Sequence, residues 1–379
     1  MKKEILTSYK IIPFVLCFFF LSNLHAQMEV CNGDVIMNVK GSWKKRSDAN
    51  MKADKNKTQI TNNIDAISKL FQEAYPDPKG MEAGWYRTMN GDPLVKNGPT
   101  PYQFSSLYLG WYCNENLHKL MLGNETGTWA YVYVNDFGWL MTDQWDKVWI
   151  KIDGVTAYLL PKTKEQWKGL PVYEPTGNNK SKAVLLTHNN QLPYKPVSRL
   201  SYLQSLKQKI ENDKDAQMDV LNKIPDKSEA EEAAAKQKGL ENALTGASAS
   251  RIEERKERYL KNYKTDKEQK EENRQRAAKY YDDKIKIVED LLKTSGNDYL
   301  QLPAIIDNNS NFKGFSTLEK GGRMIVSVNN EYFNLKLPGY TPQMIVLYWQ
   351  WDNSRAAQSF KKQLEENFPV DILKALIDK

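Results

Sequence analysis

The chain has 379 residues, 27% of them charged, with a formal net charge of +7. So mild a positive balance, spread along the whole length, speaks for solubility and against a nucleic-acid footprint. Outside the first 26 residues no window is long and apolar enough for a membrane span.

Those first residues read as a targeting segment. Lys2, Lys3 and Lys10 form a positive region, Ile11 to Leu21 an apolar one, and Leu24-His25-Ala26 places a small residue at the cleavage position. The pattern predicts a soluble protein that is secreted or periplasmic, with residues 1–26 as signal peptide cut after Ala26. Cys17 follows Phe14-Val15-Leu16 without a small residue before it, which argues against a lipid anchor. Removing the segment takes away three Lys and one Glu and leaves +5. Cys31 and Cys113 remain; in an oxidising compartment they are expected to pair, the alternative being two buried thiols.

Residues 27–197 are expected to form an aromatic-rich α+β module. Val35 to Trp43 reads as a strand. Ile60, Ile64, Ile67 and Phe71 recur at helical spacing and predict an amphipathic helix over 58–75. Strands follow at about 103–113, 127–135, 147–153, 155–161 and 182–187, with Asp153-Gly154 as a two-residue hairpin turn. Closely spaced strands joined by turns give an antiparallel sheet with the helix on one face. Alternation in 129–134 separates Trp129, Tyr131 and Tyr133 from Ala130, Val132 and Val134, and in 107–112 it separates Tyr108 and Tyr112 from Leu107, Leu109 and Trp111. Eight of the ten Trp fall between Trp43 and Trp167. One sheet face would then carry an aromatic stripe of Tyr108, Tyr112, Trp129, Tyr131 and Tyr133. It is either a second core layer or a ligand-binding platform, the latter suited to glycans or extended chains.

Residues 198–295 are low in complexity and rich in Glu, Lys, Ala and Gln, and read as a charged, coiled-coil-like helical arm inserted into the fold. Leu200, Leu203, Leu206 and Ile210 mark one stripe, and Pro225 ends the first helix. Ser228 with Glu231, then Ser250 with Glu253, form capping-box patterns, with Gly246 a stop between them. The last helix is expected to run from 251 to about 293, roughly 65 Å at 1.5 Å per residue. Between Lys264 and Arg276 it has no apolar residue, so that stretch is expected to be solvated and to open easily. Glu254–Arg258, Glu257–Lys261, Asp266–Lys270 and Glu272–Arg276 are acid-before-base pairs four apart. The arm is either a hairpin leaning on the folded body or a docking element for a protein partner.

The stretch Leu192-Pro193-Tyr194-Lys195-Pro196-Val197-Ser198-Arg199, just before Tyr202-Leu203, resembles a Pro-Val-(Ser/Thr)-Arg…Tyr-Leu segment of exported proteins from Bacteroidetes-type bacteria. The resemblance covers about a tenth of the chain and implies an origin, with no activity attached. In physical terms it is a strand end, two prolines that forbid helix, and Ser198 as N-cap of the arm.

Residues 296–379 return to strand chemistry, in the order β-β-β-α-α. A hairpin is expected at Gly321-Gly322 between 315–319 and 324–328. Met344 to Trp351 is the most apolar strand, with Ile345, Leu347, Trp349 and Trp351 on one side. Helices with Phe360 and Leu364, then Ile372, Leu373, Leu376 and Ile377, close the chain. This segment is expected to pack on the first module, giving an α+β fold with an antiparallel sheet covered by helices.

The search for chemistry finds no metal-ligand spacing, nucleophile elbow or phosphate loop, and implies no cofactor. His118 and His188 are the only histidines past the targeting segment. Glu115, Glu125, Asp136, Asp143 and Asp146 lie near the aromatic strands without singling out a catalytic pair. A non-enzymatic binding or interaction protein is the leading expectation. A glycan-binding module or glycoside hydrolase built on the aromatic face is the alternative. A peptidase role lacks a nucleophile and base.

Overall fold

The computed structural model describes residues 33–51, 54–89, 91–114, 116–117, 119–141, 148–152, 154–176, 179–188, 191–307 and 312–379. The targeting segment and Cys31 lie outside the described residues. In chain order the elements are α1 (Gly33–Asn38), β1 (Trp43–Lys45), α2 (Lys57–Ala74), β2 (Met81–Thr88), β3 (Tyr102–Asn114), β4 (Lys119–Leu122), β5 (Trp129–Val134), β6 (Val148–Ile152), β7 (Val155–Leu159), β8 (Lys162–Trp167), β9 (Leu170–Glu174), β10 (Ser181–Thr187) and β11 (Tyr194–Pro196). Helices follow as α3 (Arg199–Lys223), α4 (Glu229–Leu244), α5 (Ile252–Asn262), α6 (Asp266–Thr294) and α7 (Asn297–Gln301). The chain ends with β12 (Ile305–Ile306), β13 (Arg323–Val328), β14 (Met344–Gln350), α8 (Arg355–Asn367) and α9 (Val370–Lys374). The fold is α+β, and no helix among the described residues is long and apolar enough to cross a membrane.

The chain divides into two units. One holds Met1–Lys147, Tyr158–Lys195 and Val326–Lys379; the other holds Val148–Ala157 and Pro196–Ile325. The expected boundary at 295/296 therefore moves to 325/326. The reason is local pairing at the start of α3: the Val197 N–H donates to Ile325 O, Ala304 N–H to Val197 O, and Arg199 N–H to Leu302 O.

The first unit is built on a nine-stranded sheet of order β1-β2-β3-β5-β14-β10-β9-β8, with β4 on β3. Among the described residues of this sheet, only β1 runs parallel to its neighbour. Strand β14 lies between β5 and β10, with Leu347 opposite both Val132 and Val184. Its sequence, apolar on both faces, suits that interior position. On the first face Ile345, Leu347, Trp349, Val132, Phe104 and Tyr108 meet the Ile60-Ile64-Ile67-Phe71 stripe of α2 and Phe360 and Leu364 of α8. Phe71 stacks on Phe104 at 4.7 Å and Tyr108 on Phe360 at 4.0 Å. Glu365 fixes α8 to the sheet: its Oε1 accepts from Trp349 Nε1 at 3.1 Å and from Lys182 Nζ at 2.9 Å.

Two expectations for strands fail. Residues 33–38 are helix rather than the start of a strand; Asp34 sits in the first turn and pairs with Arg355 at 2.7 Å. Residues 315–319 form no strand, because β13 takes β12 as its partner instead, and the chain turns at Leu318–Gly321. Strands β2, β4, β8, β9 and β12 lie outside the expected set.

In the second unit, Ser198 caps α3 as expected, accepting the Ser201 N–H. Helices α3 and α6 pair antiparallel: Leu203 and Ile210 cluster with Val288, flanked by Leu206, Ile285 and Leu292. Beyond that core, ion pairs Lys207–Glu289 and Lys214–Asp282, both 2.6 Å, carry the contact along the helices. The expected 251–293 helix is two helices. Ser250 and Glu253 do not cap it; α5 starts after a 3-10 turn with no side-chain cap. The break at Tyr263–Thr265 arises because Thr265 and Glu268 form a full capping box and open α6 afresh.

Nor is the 264–276 stretch bare. Lys270 is only 9% exposed. Its ammonium donates to Pro225 O and pairs with Asp226 (3.1 Å) and Asp266 (2.6 Å). Asp266 also pairs with Lys227 at 3.2 Å, and Glu232 accepts both the Asp266 N–H and the Tyr263 hydroxyl. The breaks in the outgoing and returning chains thus adjoin through one polar network. Hydrogen bonds to Asp266 and Asp226 outweigh desolvation and raise the Lys270 pKa, while the Lys270 hydrogen bond to Asp266 lowers the carboxylate's. Lys270→Ala should therefore speed amide exchange over 266–272 and leave 284–292, around Val288, as slow as before. Equal exchange at 266–272 in both proteins, followed by mass spectrometry, would show that the network holds nothing.

Candidate functional site

The register of the sheet decides which aromatics can act together. Leu107 lies opposite Trp129, Ser105 opposite Tyr131 and Gln103 opposite Tyr133. Cross-strand partners share a face, so the aromatic row of β5 meets the non-aromatic row of β3. The stripe expected from the separate alternations is therefore split. Tyr108 is on the helix-covered face, buried between Trp43 and Phe360, its hydroxyl accepting from Ser106 at 3.1 Å. Burial pushes that phenol's pKa well up. Tyr112 has the same parity as Tyr108 and is 45% exposed where β3 pairs with β4. Cys113 follows it on the same strand, and the disulfide expected with Cys31 involves a residue outside those described.

Trp129, Tyr131 and Tyr133 do share the second face, joined by Tyr86 of β2 and Tyr348 and Gln350 of β14. Trp129 and Tyr131 are nearly parallel, 12° apart with centroids at 5.9 Å. Tyr131 contacts Tyr133 at 5.7 Å and Tyr348 at 5.8 Å. The far end of this row is closed. Asn135, fully buried at φ 58°, donates to Thr100 O and Thr341 O and accepts the Gln343 N–H, turning the chain back over the sheet. A Cβ at Gly138 would come within 2.3 Å of the Tyr133 ring, so only glycine lets the loop lie there. Trp139 then packs on Tyr348 at 6.3 Å.

The near end stays open. Trp129 and Tyr131 are partly exposed, and the hydroxyls of Tyr86 and Tyr131 bond to no described residue. Tyr348 is used internally, donating to Gln350 Oε1 at 2.6 Å. Burial raises the Tyr131 pKa, with Tyr86 and Tyr348 adding to it, so the phenol stays a neutral donor. Arg46 lies across the sheet where Gly84 leaves room; a Cβ there would be 2.3 Å from its Nε. A depression of about 640 Å³ lined by Lys45, Arg46, Tyr86 and Leu107 adjoins. The open end can thus offer aromatic surface, unused phenol donors and a cation. Sequence reasoning missed Tyr86, Tyr348 and Arg46, although 81–88 and 344–350 both alternate as strands do.

Of the carboxylates expected nearby, Glu115, Asp143 and Asp146 lie outside the described residues and Glu125 is exposed in a turn. Asp136 sits beside Tyr133 and Tyr158, accepting the Gly138 and Phe137 N–H groups. Asp352 is occupied, taking Thr128 Oγ1 and the Ser354 N–H. His188 stacks on Tyr332 at 4.3 Å, with Nδ1 3.3 Å from Asp378. No group of three or more His, Cys, Asp or Glu among the described residues could hold a metal ion.

Burial raises the Asp136 pKa above its ordinary 3.8, an effect the two N–H donors only partly offset. A raised folded pKa gives stability that is complete below the unfolded value and lost as pH rises through the folded one. Asp136→Asn should hence melt at or above the wild-type temperature at pH 7, and the two curves should converge below pH 3.8. A variant less stable at pH 7 would mean that the ionised carboxylate is the favoured form.

The chain matches no protein-family model, no curated protein and no solved structure.

Proposed function

We propose that the protein is an exported, non-enzymatic binding protein, and that its ligand surface is the open end of the aromatic sheet face. The observation that carries this reading is the partly exposed, nearly parallel pair of Trp129 and Tyr131, with the Tyr86 and Tyr131 hydroxyls bonded to no described residue and Arg46 nearby. Aromatic surface with a few convergent polar groups is how binding sites for small or chain-like ligands are built. A carbohydrate chain fits best: ring surface meets the apolar faces of sugars while the Tyr86 and Tyr131 hydroxyls and the guanidinium meet their hydroxyls. Export is supported by the charged and apolar pattern of residues 1–26. A protein partner docking on the helices is a second reading, favoured by the exposed Val220, Ile224 and Leu260.

The test is titration of the full chain with soluble oligosaccharides of different linkage, read by tryptophan fluorescence. At least one should bind saturably. Trp129→Ala and Tyr131→Ala should each weaken it about three- to tenfold, the roughly 0.5–1.5 kcal/mol of an aromatic contact, and Tyr112→Ala should not. Absence of saturable binding, or binding indifferent to both substitutions, would overturn the reading.

A further inference from the structure

The Pro196-Val197-Ser198-Arg199…Tyr202-Leu203 stretch gives most of its residues plain structural work. Val197 pairs with Ala304 and Ile325, Ser198 caps α3, and Leu203 is in the α3–α6 core. Arg199 and Tyr202 differ. Arg199, the first residue of α3, is 8% exposed, yet its Nε has no hydrogen-bond partner and no carboxylate pairs with its guanidinium among the described residues. The guanidinium lies over Tyr299 at 4.0 Å and near Phe315 at 5.0 Å. One helical turn on, Tyr202 is fully buried and its hydroxyl is likewise unpartnered. Its ring meets Phe312 at 5.4 Å and Phe315 at 5.9 Å, both edge-on.

Arg199 and Tyr202 stand three apart on one helix face and share Phe315 as neighbour, so their idle donors belong to one aromatic-walled site. A buried donor without a partner costs the full desolvation of that group, more so for a cation, and native proteins seldom keep one. Two together, beside rings that take up part of the charge, ask for an acceptor. Guanidinium Nε–H and a phenol O–H are both donors, and a carboxylate supplies acceptor oxygens and the opposite charge. Tyr299, 38% exposed, borders the site on the solvent side. Burial raises the Tyr202 pKa, which keeps its proton available for donation.

We propose that Arg199 and Tyr202 bind the carboxylate of a ligand whose apolar body rests against Tyr299, Phe312 and Phe315. This site is separate in its residues from the aromatic sheet face. The acid is either a free aromatic acid or the end of a peptide.

The experiment is NMR of the arginine Nε–H groups in the full-length, ¹⁵N-labelled protein at constant ionic strength. The probes are benzoate, its neutral counterpart benzamide, and a tripeptide ending in Phe with a free or an amidated C-terminus. One Nε–H signal, absent from Arg199→Lys, should shift saturably with benzoate or with the free tripeptide, and with neither neutral analogue. Tyr202→Phe should weaken that binding about two- to tenfold, as loss of one hydrogen bond does. Tighter binding of the tripeptide than of benzoate would assign the site to chain ends, and the reverse to free acids. Arg199→Lys keeps the charge and the stem, and Tyr202→Phe keeps the ring, so at least one variant stays folded for comparison. No saturable shift with either acid, or a shift unchanged in both variants, would overturn the proposal and leave Arg199 as a packed cation–π residue.

Discussion

The pairing of β14 with β5 on one side and β10 on the other is the constraint on which the first unit depends. It brings Leu347 and Trp349 under α2 and α8, and it places Tyr348 and Gln350 beside Tyr131 and Trp129. Both faces are therefore completed by a strand that follows the helices of 199–294 in sequence. Joining Ile345 to Val134 closes a loop of about 200 residues, a cost that grows slowly with length but must be met before the pairing rewards it. The reward is a strand buried on both faces, against which Trp349 and Lys182 both bond to Glu365.

The same sheet shows two treatments of buried polarity. The side chain of Asn135, fully enclosed, makes three hydrogen bonds that turn the chain back over Tyr133. Ser106 donates to Tyr108 on the opposite face. These groups fix geometry because each has a partner. In the second unit Lys270 follows the same rule, enclosed but matched by Asp226, Asp266 and a turn carbonyl. Arg199 Nε and the Tyr202 hydroxyl depart from that rule, as do Trp111 Nε1 and Arg274 Nε, but only Arg199 and Tyr202 adjoin each other against shared aromatic rings.

Local periodicity announced what local chemistry decides. The α2 stripe, the split of β14 into Ile345-Leu347-Trp349 and Val346-Tyr348-Gln350, the caps at Ser198 and Ser228, and the Leu203–Val288 seam can all be read from residue spacing. So can the helical ion pairs Glu254–Arg258, Asp266–Lys270 and Glu272–Arg276. Which face Tyr108 shares with Trp129 cannot, since it depends on strand register, and a one-residue slip exchanges every side chain. The break before Thr265 was written in Thr265 and Glu268, but a run without Pro or Gly masked it. Lys270 escaped because a polar stretch can be enclosed by partners as well as by apolar neighbours. Tyr86 and Arg46 escaped because their place on the face depends on β2 pairing with β3 and on the bare Gly84.

If β14 holds the sheet together, then Leu347, fully buried between Val132 and Val184, is the position where that can be tested most directly. Equilibrium denaturation of Leu347→Ala, followed by aromatic circular dichroism, should show a loss of about 2–5 kcal/mol, as truncation of an enclosed leucine does. A variant within roughly 0.5 kcal/mol of the wild type, the range of ordinary surface substitutions, would contradict the central place given to this strand.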